Sequence, residues 1–411
     1  MTGLRELFDE VAGMPGPSSR LSADQVYAAG RRRRTRNGVL KGAAAVVALL
    51  TAVGVGGAIA ASGGGEGPAP ADSVAPQPTV SGPVRRVASA DADHLYVSYP
   101  ACPNPGRSCP KTRERLFGSD DGGRTWQERD SAFEAGDLRV LGPETLVAIG
   151  AQSAIKVSTT GGRTWADARR EDRPAGGVSR GAGVVCWSAD AGATPCTLHA
   201  IDPASGRFAP LASQPPLRPD FGFVDLVAGH LWASGYSPTV PGRQGVAVSP
   251  DAGRNWQTRF LPDPPACAPD PCPLPSLATS ADGTTAYAVV RYQGKREWRV
   301  YRITAGGLPE RIGGAASVPY SEHGRDGSFV AADGTHVLAQ IVSGEPTDEV
   351  RWWAATTSTY QPVDLNGLPA TVDPVERAAD GLFYTHSYGP DEGVYRSTDG
   401  RHWSPVSIPG R

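Results

Sequence analysis

The sequence has few of the residues that build long helices or bind nucleic acid. Only 2 Met and 9 Phe stand against 51 Gly and 38 Pro among 411 residues, so the chain is rich in turns and poor in long helices. Residues 63–411 carry a net charge of −6 and contain no basic stripe. Nucleic-acid binding is therefore excluded, because it needs a basic patch that faces the phosphates.

Motifs of metal binding and catalysis are also scarce. The sequence contains no H-E-x-x-H zinc helix and no phosphate-binding P-loop. The Asp-rich stretches "ADADH" and "SDDGG" lack the closing Glu of an EF-hand loop. The histidines, from His94 to His402, stand singly, and each is expected to be a surface or turn residue. The sequence predicts no metal site and no cofactor.

One uncharged apolar run stands out, at residues 42–62. Its 21 residues match the roughly 20 that an α-helix needs to cross a bilayer. The segment Arg31–Lys41 ahead of the run is basic, and no Lys or Arg follows it until Arg85. Because basic residues stay on the cytoplasmic side, the sequence predicts a single-pass cell-membrane protein. Residues 1–41 are predicted to form a cytoplasmic leader with short helices, and the bulk of the chain is predicted to be extracytoplasmic.

A cleaved signal peptide is the alternative interpretation of the same run, with Ala58, Ile59 and Ala60 as a small-residue cleavage site. The leader ahead of the run is long for a signal peptide, which favours a retained anchor. Residues 63–83 are rich in Gly, Pro and Ala, cannot bury a core, and are predicted to form an extended tether. The folded domain then occupies residues 84–411.

All six cysteines lie beyond the apolar run, in what is predicted to be an oxidising compartment. They form three close pairs along the sequence: Cys102 with Cys109, Cys186 with Cys196, and Cys267 with Cys272. Proximity favours three local disulfides over the other possible pairings. Metal binding is the alternative, but no His stands nearby at ligand spacing.

A short pattern recurs four times along the folded domain. The stretch "GSDDGGRTWQ" at residues 118–127 is followed by "VSTTGGRTWA", "VSPDAGRNWQ" and "RSTDGRHWSP". In the first copy a strand ends at Ser119, and Asp121 accepts hydrogen bonds from its own turn. Gly123 supplies a positive φ, and Trp126 begins the next strand and packs inward. The pattern predicts a hairpin and offers neither a nucleophile nor a metal ligand.

These segments resemble Asp-box (BNR) repeats, the hairpin signature of sialidase-like β-propellers. The first and third copies are complete, the second has Thr160 in place of the Asp, and the fourth is one residue shorter. Copy by copy, the matching residues are Ser119, Asp121, Gly123 and Trp126; Ser158, Gly162 and Trp165; Ser249, Asp251, Gly253 and Trp256; and Ser397, Asp399 and Trp403. The resemblance implies that these residues are structural and that the fold is a ring of β-sheet blades.

The spacing of the copies indicates the number of blades. Successive repeat serines are 39, 91 and 148 residues apart, which correspond to one, two and three units of about 45 residues. Short apolar strands, each preceded by a small turn, also recur seven times along residues 84–411. We therefore predict an all-β fold, a seven-bladed β-propeller of four-stranded antiparallel blades, preceded by one transmembrane helix. A pair of β-sandwiches is the alternative, but it does not predict seven units.

The resemblance to sialidases also implies a catalytic site. That family binds the substrate carboxylate with three arginines, since guanidinium groups contact carboxylates in a bidentate manner, and uses a Tyr paired with a Glu as the nucleophile. The residues that could fill these roles are Arg86, Arg291 and Arg351 for the carboxylate, and Tyr384 with Glu376 for the nucleophile. None stands in a family motif: the stretch around Arg86 reads "VRRVASA" where the family has Phe/Tyr-Arg-Ile-Pro. The simpler interpretation is that the arginines are solvated.

Two functions are consistent with these features. The first, which we favour, is a membrane-anchored binding or scaffold module that presents a channel mouth to envelope glycans or proteins. The second is an exo-α-sialidase-like glycoside hydrolase with a diverged site. Arginines and a carboxylate pair that converge on one channel mouth favour the enzyme, whereas scattered arginines favour the binding module. The aromatic stretch Arg351–Trp353 could stack on a sugar ring, but aromatic residues of propellers more often wedge between blades.

Overall fold

The computed structural model of the chain describes most of the predicted folded domain. The described residues are 78, 80, 82–101, 113–134, 137–150, 154–188, 196–219, 222–262, 273–292, 297–313, 327–342, 349–356, 359–387 and 392–409. They belong to one compact unit, Ala75–Arg411. The predicted leader, the apolar run at 42–62 and two of the predicted disulfides lie outside the described residues. Within the described part, no helix is long and apolar enough to cross a membrane.

The described strands form seven β-sheets, which are the seven blades of a propeller. Five blades have four antiparallel strands that follow one another from the channel outwards. Blade 1 has β1 (Arg86–Ser89), β2 (Leu95–Pro100), β3 (Arg113–Ser119) and β4 (Gln127–Glu134), and blade 2 has β5 (Asp137–Gly142), β6 (Thr145–Ile149), β7 (Ile155–Ser158) and β8 (Ala166–Asp167). Blade 5 has β19 (Ser276–Thr279), β20 (Thr285–Tyr292), β21 (Glu297–Thr304) and β22 (Glu310–Ile312), blade 6 has β23 (Ser328–Val330), β24 (His336–Val342), β25 (Glu349–Ala355) and β26 (Tyr360–Val363), and blade 7 has β27 (Glu376–Arg377), β28 (Phe383–His386), β29 (Val394–Ser397) and β30 (Ser404–Val406). The predicted seven-bladed architecture is confirmed.

Blades 3 and 4 depart from this plan because they share chain at their inner edge. Blade 3 has β10 (Gly183–Trp187), β11 (Thr197–Asp202) and β12 (Arg207–Pro210), joined by β9 (Arg169–Arg170) and β14 (Gly222–Val224), and blade 4 has β16 (His230–Tyr236), β17 (Gln244–Ser249) and β18 (Gln257–Phe260), joined by β13 (Arg218–Pro219) and β15 (Leu226–Val227). The segment before β10 does not fill the inner edge of blade 3, since the Val178 amide donates to the Ala252 carbonyl of blade 4. The inner edge of blade 3 is therefore completed by β14, which pairs with β10. β14 belongs to the same stretch of chain that supplies the first strand of blade 4.

The middle strands of each blade are buried on both faces because each blade is packed between two others. In β2, Leu95, Val97 and Tyr99 pack toward blade 7, whereas Tyr96 packs toward blade 2. Alternation with a period of two thus produces a nearly continuous apolar run. Among the described residues, seven hydrophobic clusters each join two successive blades, and one of them joins blade 7 to blade 1. The ring is closed by the same packing that holds any two neighbours together.

The four repeat turns connect the third strand to the fourth in blades 1, 2, 4 and 7. These blades are one, two and three steps apart around the ring, as the spacing of the serines predicts. Because each blade is antiparallel, the repeat turns lie at one end of the strands, which we call the turn end. The first strand of each blade begins at the opposite end, which we call the mouth end.

One of the three predicted disulfides lies within the described residues and is confirmed. Cys186 in β10 is bonded to Cys196, just before β11. Both sulfurs belong to the hydrophobic cluster between blades 3 and 4, and the bond closes the connection between the first two long strands of blade 3. The predicted pairs Cys102–Cys109 and Cys267–Cys272 lie outside the described residues.

Candidate functional site

The repeat turns are closed by a hydrogen-bond network within each turn. In blade 1, the Ser119 hydroxyl donates to the Asp121 carboxylate at 2.8 Å and accepts from the Gly123 amide at 2.8 Å. Asp121 also accepts from the Arg124 amide at 3.0 Å, from the Thr125 amide at 2.9 Å and from the Thr125 hydroxyl at 2.7 Å. A φ of 91° at Gly123 lets the backbone reverse. The serine and carboxylate oxygens are thus committed to the turn itself.

The other copies repeat this geometry with local substitutions. In blade 4, the side chain and the amide of Asn255 donate to Asp251 and lower the pKa of that carboxyl to about 2. In blade 2, Thr160 stands in for the Asp, and its hydroxyl accepts from the Thr164 amide at 2.9 Å. The fourth turn closes on Asp399. The repeat residues hold hairpins together, and the candidate site must lie elsewhere.

The repeat tryptophans attach each of these turns to the preceding blade. Trp126 donates from Nε1 to the Ser407 carbonyl of blade 7 at 3.0 Å, and Trp256 donates to the Ser213 carbonyl beside blade 3 at 3.0 Å. Trp165 packs in the cluster between blades 1 and 2, and Trp403 packs with Phe329 of blade 6. The turn end is therefore built to join blades.

Charged side chains from the inner strands of four blades meet in the central channel. This channel cluster consists of Arg86, Asp137, Arg139, Asp225 and Glu376. Its members interact electrostatically with one another although they belong to blades 1, 2, 4 and 7. Arg86, Asp137 and Glu376 are the first residues of β1, β5 and β27, so they stand at the mouth end. Neighbouring first strands bring them together because every first strand begins at the same end.

Deeper in the channel, an ion pair links blade 2 to blade 4. Arg139 Nη1 lies 3.1 Å from Asp225 Oδ1, and the two side chains leave 40% and 46% of their surface open to solvent. Asp225 lies between β14 and β15, in the stretch that blades 3 and 4 share. The charge of Asp225 raises the pKa of Arg139. A pair this exposed contributes little to stability, so it is accessible to a ligand that enters the channel.

The two remaining carboxyl groups have raised pKa values. Enclosure by the walls of the channel raises the pKa of Glu376, against the opposing charges of Arg139, His386 and Arg86. The same cause raises the pKa of Asp137. The number of protein atoms around these groups disfavours the ionised form, although Glu376 is exposed to solvent and Asp137 is half-buried. Perturbed carboxyl groups in a channel are typical of functional sites.

Two of the residues predicted for a sialidase-like site, Arg86 and Glu376, belong to the channel cluster. Arg86 Nε lies 3.5 Å from Glu114 Oε2, and Glu114 also accepts from the Ser98 hydroxyl at 2.6 Å. The Arg86 charge is thus balanced inside blade 1. The Glu376 side chain is exposed to solvent and makes no hydrogen bond or ion pair with another side chain among the described residues.

Tyr384 is the cross-strand partner of Glu376, but its hydroxyl points away from the mouth end. It lies 3.5 Å from the carbonyl of Asp91, in the turn between β1 and β2 at the turn end. The side chain is 1% exposed and belongs to the cluster between blades 7 and 1, and this burial raises the pKa of its hydroxyl. The structure places Tyr384 as a wedge between blades.

The other candidate arginines lie away from the inner strands. Arg291 is on β20, the second strand of blade 5, and Arg351 is on β25, the third strand of blade 6. Neither is among the electrostatic partners of the channel cluster. Next to Arg351, Trp352 is buried against Phe329 in the cluster between blades 6 and 7, and half-buried Trp353 donates to Gln340 at 3.1 Å. These aromatic residues pack between blades.

Sequence reasoning missed three members of the cluster, which are Asp137, Arg139 and Asp225. Their signal was positional, since a charged residue at the start of a blade's first strand faces the channel.

The sequence also contains one G-x-S-x-G match, at residues 177–181, which resembles the nucleophile motif of α/β hydrolases. Here Ser179 is exposed in the connection that precedes β10, so the motif lacks the strand-to-helix turn that its chemistry needs.

A small cavity adjoins the channel cluster where β1 lies between β5 and β27. Its volume is about 40 Å³, and its lining includes Ser89, Leu138, Arg139 and Glu376. By the roughly 10–15 Å³ that one water needs on this measure, it holds about three waters. In the described residues, no three His, Cys, Asp or Glu side chains come together as metal ligands.

The fold and this channel define the chain as a β-propeller with a charged axial site. Similar solved structures include the GH74 xyloglucanase from Xanthomonas campestris (15% identity, TM-score 0.38), which matches over 78% of this chain and 60% of its own. YCF48 bound to D1 peptide is 12% identical with a TM-score of 0.34, over 80% of this chain and 83% of its own. TolB from Acinetobacter baumannii is 11% identical with a TM-score of 0.37, over 79% and 80%.

These similarities accompany the propeller fold, and at such scores they carry no argument about ligand or activity. The chain spans 60% of the length of the xyloglucanase. No protein-family model matches the chain, and no curated protein matches it. The function must be argued from the channel itself.

Proposed function

We propose that this chain is a membrane-anchored extracytoplasmic binding module whose ligand, an envelope glycan or protein, sits at the mouth of the central channel. The observation that carries the proposal is the channel cluster. Charged residues from the first strands of separate blades meet at the mouth end, whereas the repeat turns are committed to joining blades. Convergent polar groups in a concave site are the usual basis for a binding site.

The charge balance of the mouth favours binding over sialidase-like hydrolysis. A sialidase-like site would use three free guanidinium groups to hold one substrate carboxylate. Here Arg86 is close to Glu114, Arg139 is paired with Asp225, and the Tyr384 hydroxyl points to the turn end. A carboxylated sugar would also meet the carboxyl groups of Asp137 and Glu376. The glycoside hydrolase remains the second candidate, to be separated by experiment.

The membrane anchor is part of the proposal and rests on the sequence. Residues 42–62 are long enough and apolar enough to span a bilayer. The described chain enters β1 at the mouth end, where the Val84 amide donates to Glu392 of blade 7 at 2.6 Å.

The experiment measures retention and cleavage on the same material. The purified full-length chain is immobilised and incubated with envelope polysaccharide, sialosides and extracted envelope proteins, and mass spectrometry identifies what is retained or released. We expect retention without cleavage, weakened at least about 10-fold by Arg139→Ala. The matched control is Arg207→Ala, on β12 of blade 3 and outside the channel cluster, which leaves retention unchanged.

Two other outcomes decide against the proposal. Released sugar that disappears in an Arg86→Ala variant assigns the chain to the glycoside hydrolases. No retention of any of the three materials, or retention that Arg139→Ala leaves intact, means that the channel mouth is not a binding site.

A further inference from the structure

The cavity beside the channel cluster is bounded by the first strands of three successive blades, β27, β1 and β5. Its charged lining residues are Arg139, Glu376 and Arg377, so two guanidinium groups stand against one carboxyl group. Ser89 at the end of β1 and Ala379 beyond the end of β27 also line it. The cavity thus extends from the channel cluster toward the turn end, and its lining carries more positive than negative charge.

Arg377 is the member of this lining whose charge has no partner in direct contact. Its Nε and Nη1 atoms are buried without a hydrogen-bond partner, and its guanidinium group packs over the Phe383 ring, 5.7 Å from the centroid. Desolvation lowers the pKa of Arg377, against the charges of Asp282 and Asp380, which act without forming an ion pair. A desolvated charge is costly unless it is paired, and buried polar groups in native proteins are almost always satisfied. The acceptor that Arg377 lacks is therefore a group that the described chain does not supply.

We infer that this cavity binds a phosphoryl group, with Arg377 as the residue that holds it and Arg139 as a second donor across the cavity. This inference rests on the proposed binding function and names the chemical group that the ligand presents. The cavity of about 40 Å³ holds about three waters, close to the space that one phosphoryl group needs. The oxygens of a phosphoryl group point in several directions, so one group can accept from guanidinium groups on two walls. Arginine pairs strongly with phosphate.

Other ligands fit this lining less well. A cationic group would meet the guanidinium groups of Arg139 and Arg377. A metal ion lacks its ligands, because no three suitable side chains come together in the part of the chain that the structure describes. A carboxylate presents two oxygens in one plane and leaves more of the donors unpaired. Glu376 opposes any anion, but desolvation raises the pKa of its carboxyl and so reduces the negative charge that a phosphoryl group would meet.

The test measures the binding of inorganic phosphate to the purified full-length chain by titration calorimetry at neutral pH. Acetate at the same ionic strength is the reference anion. We expect saturable binding of phosphate that is roughly 10- to 100-fold tighter than that of acetate, as one further charged hydrogen bond implies. A second titration with glucose 1-phosphate separates the two sources of the group. Weaker affinity for this ester than for phosphate indicates free phosphate as the ligand, and equal or tighter affinity indicates a phosphorylated glycan.

Two variants of Arg377 separate its charge from its geometry. Arg377→Gln removes the charge, and we expect it to weaken phosphate binding at least about 10-fold. Arg377→Lys keeps the charge but loses the planar set of donors, so its affinity should lie between those of wild type and Arg377→Gln. The matched control is Arg351→Gln, because Arg351 is exposed on β25 of blade 6, and its affinity should be that of wild type. Near-ultraviolet circular dichroism checks that Phe383 and the other packed aromatic residues keep their environment.

Two results would overturn the inference. Phosphate that binds no more tightly than acetate, absent binding included, means that water alone occupies the cavity, and wild-type affinity in both Arg377 variants means that phosphate binds elsewhere. Either result is distinct from failure of the proposed function, because retention of envelope material that depends on Arg139 leaves the binding module in place. Phosphate binding that depends on Arg377, without any retention of envelope material, supports the phosphate site and contradicts the proposed function.

Discussion

At the scale of single residues, His336 shows how a propeller interior changes the chemistry of a side chain. Its side chain has no exposed surface, its ring stacks on Tyr287 with centroids 4.5 Å apart, and Nδ1 lies 2.7 Å from the Tyr360 hydroxyl. It joins blades 5 and 6 in the same way as the apolar wedges elsewhere. Burial lowers the pKa of His336 to about 3, from the 6.5 of an exposed histidine.

This depressed pKa predicts an acid-dependent loss of stability. Below pH 6.5 the unfolded chain takes up a proton on His336 that the folded chain excludes, so its contribution falls as the pH decreases toward 3. The slope is about 1.4 kcal/mol in the free energy of unfolding per pH unit. Urea unfolding of wild type and His336→Phe between neutral pH and about pH 4 measures it.

We expect a shallower pH dependence in His336→Phe, whatever its stability at neutral pH. The control is His402→Phe, which removes an exposed histidine that is paired with Asp399 at the turn end. If His336→Phe and wild type lose stability in parallel, His336 is not the group that titrates.

At the scale of elements, the repeat turn illustrates how a hairpin tolerates the loss of one residue of its pattern. The Asp121 carboxylate accepts from the amides of Arg124 and Thr125 and from the hydroxyls of Ser119 and Thr125. Thr160 replaces this group in blade 2 with one hydroxyl, which contacts the amide and the hydroxyl of Thr164. In both turns, the glycine amide donates to the serine hydroxyl, and this hydrogen bond is kept.

The difference between the two turns predicts unequal costs of the same substitution. Asp121→Ala removes the acceptor of four hydrogen bonds, one of which comes from Ser119 at the end of β3. It should lower the free energy of unfolding by about 1–2 kcal/mol. Thr160→Ala should cost about 0.5–1 kcal/mol. Urea titrations of both variants measure the difference, and equal costs would mean that the carboxylate adds nothing to the turn.

At the scale of the whole molecule, no blade of the described ring is built from strands of both the beginning and the end of the domain. Blade 1 is built from residues 86–134 and blade 7 from residues 376–406. The seam between them depends on side chains and single hydrogen bonds: Ile408 packs in the shared cluster, and the Ser407 carbonyl accepts from Trp126. The channel depends on this seam, since Arg86 and Glu376 belong to its two sides.

Removal of the last residues of the described chain should therefore open the ring. A chain that ends at Val406 loses the buried Ile408 side chain and the acceptor of Trp126, a cost of about 3 kcal/mol. A chain that ends at Pro409 keeps both and is the matched control. Thermal unfolding compares the two, and an unchanged midpoint in the shorter chain would show that the seam does not depend on these contacts.

The sequence by itself determined the hairpin turns, the number of blades and one disulfide. Turn residues such as Asp121 and Gly123 act on their own neighbours, and alternation in strands is local, so their meaning can be interpreted without the rest of the chain. The spacing of four serines then counts blades because each blade takes a similar length of chain.

Only the tertiary structure decided which charges meet in the channel. Glu376 and Arg86 were candidates, but their relation to Asp137, Arg139 and Asp225 depends on ring closure and on the edge that blades 3 and 4 share. The sequence also could not show that Glu376 belongs to the channel cluster whereas the Tyr384 hydroxyl does not. The two residues are cross-strand partners, but their functional atoms lie at opposite ends of the blade. Whether a charge is balanced is a property of distances across blades, and these are set by packing.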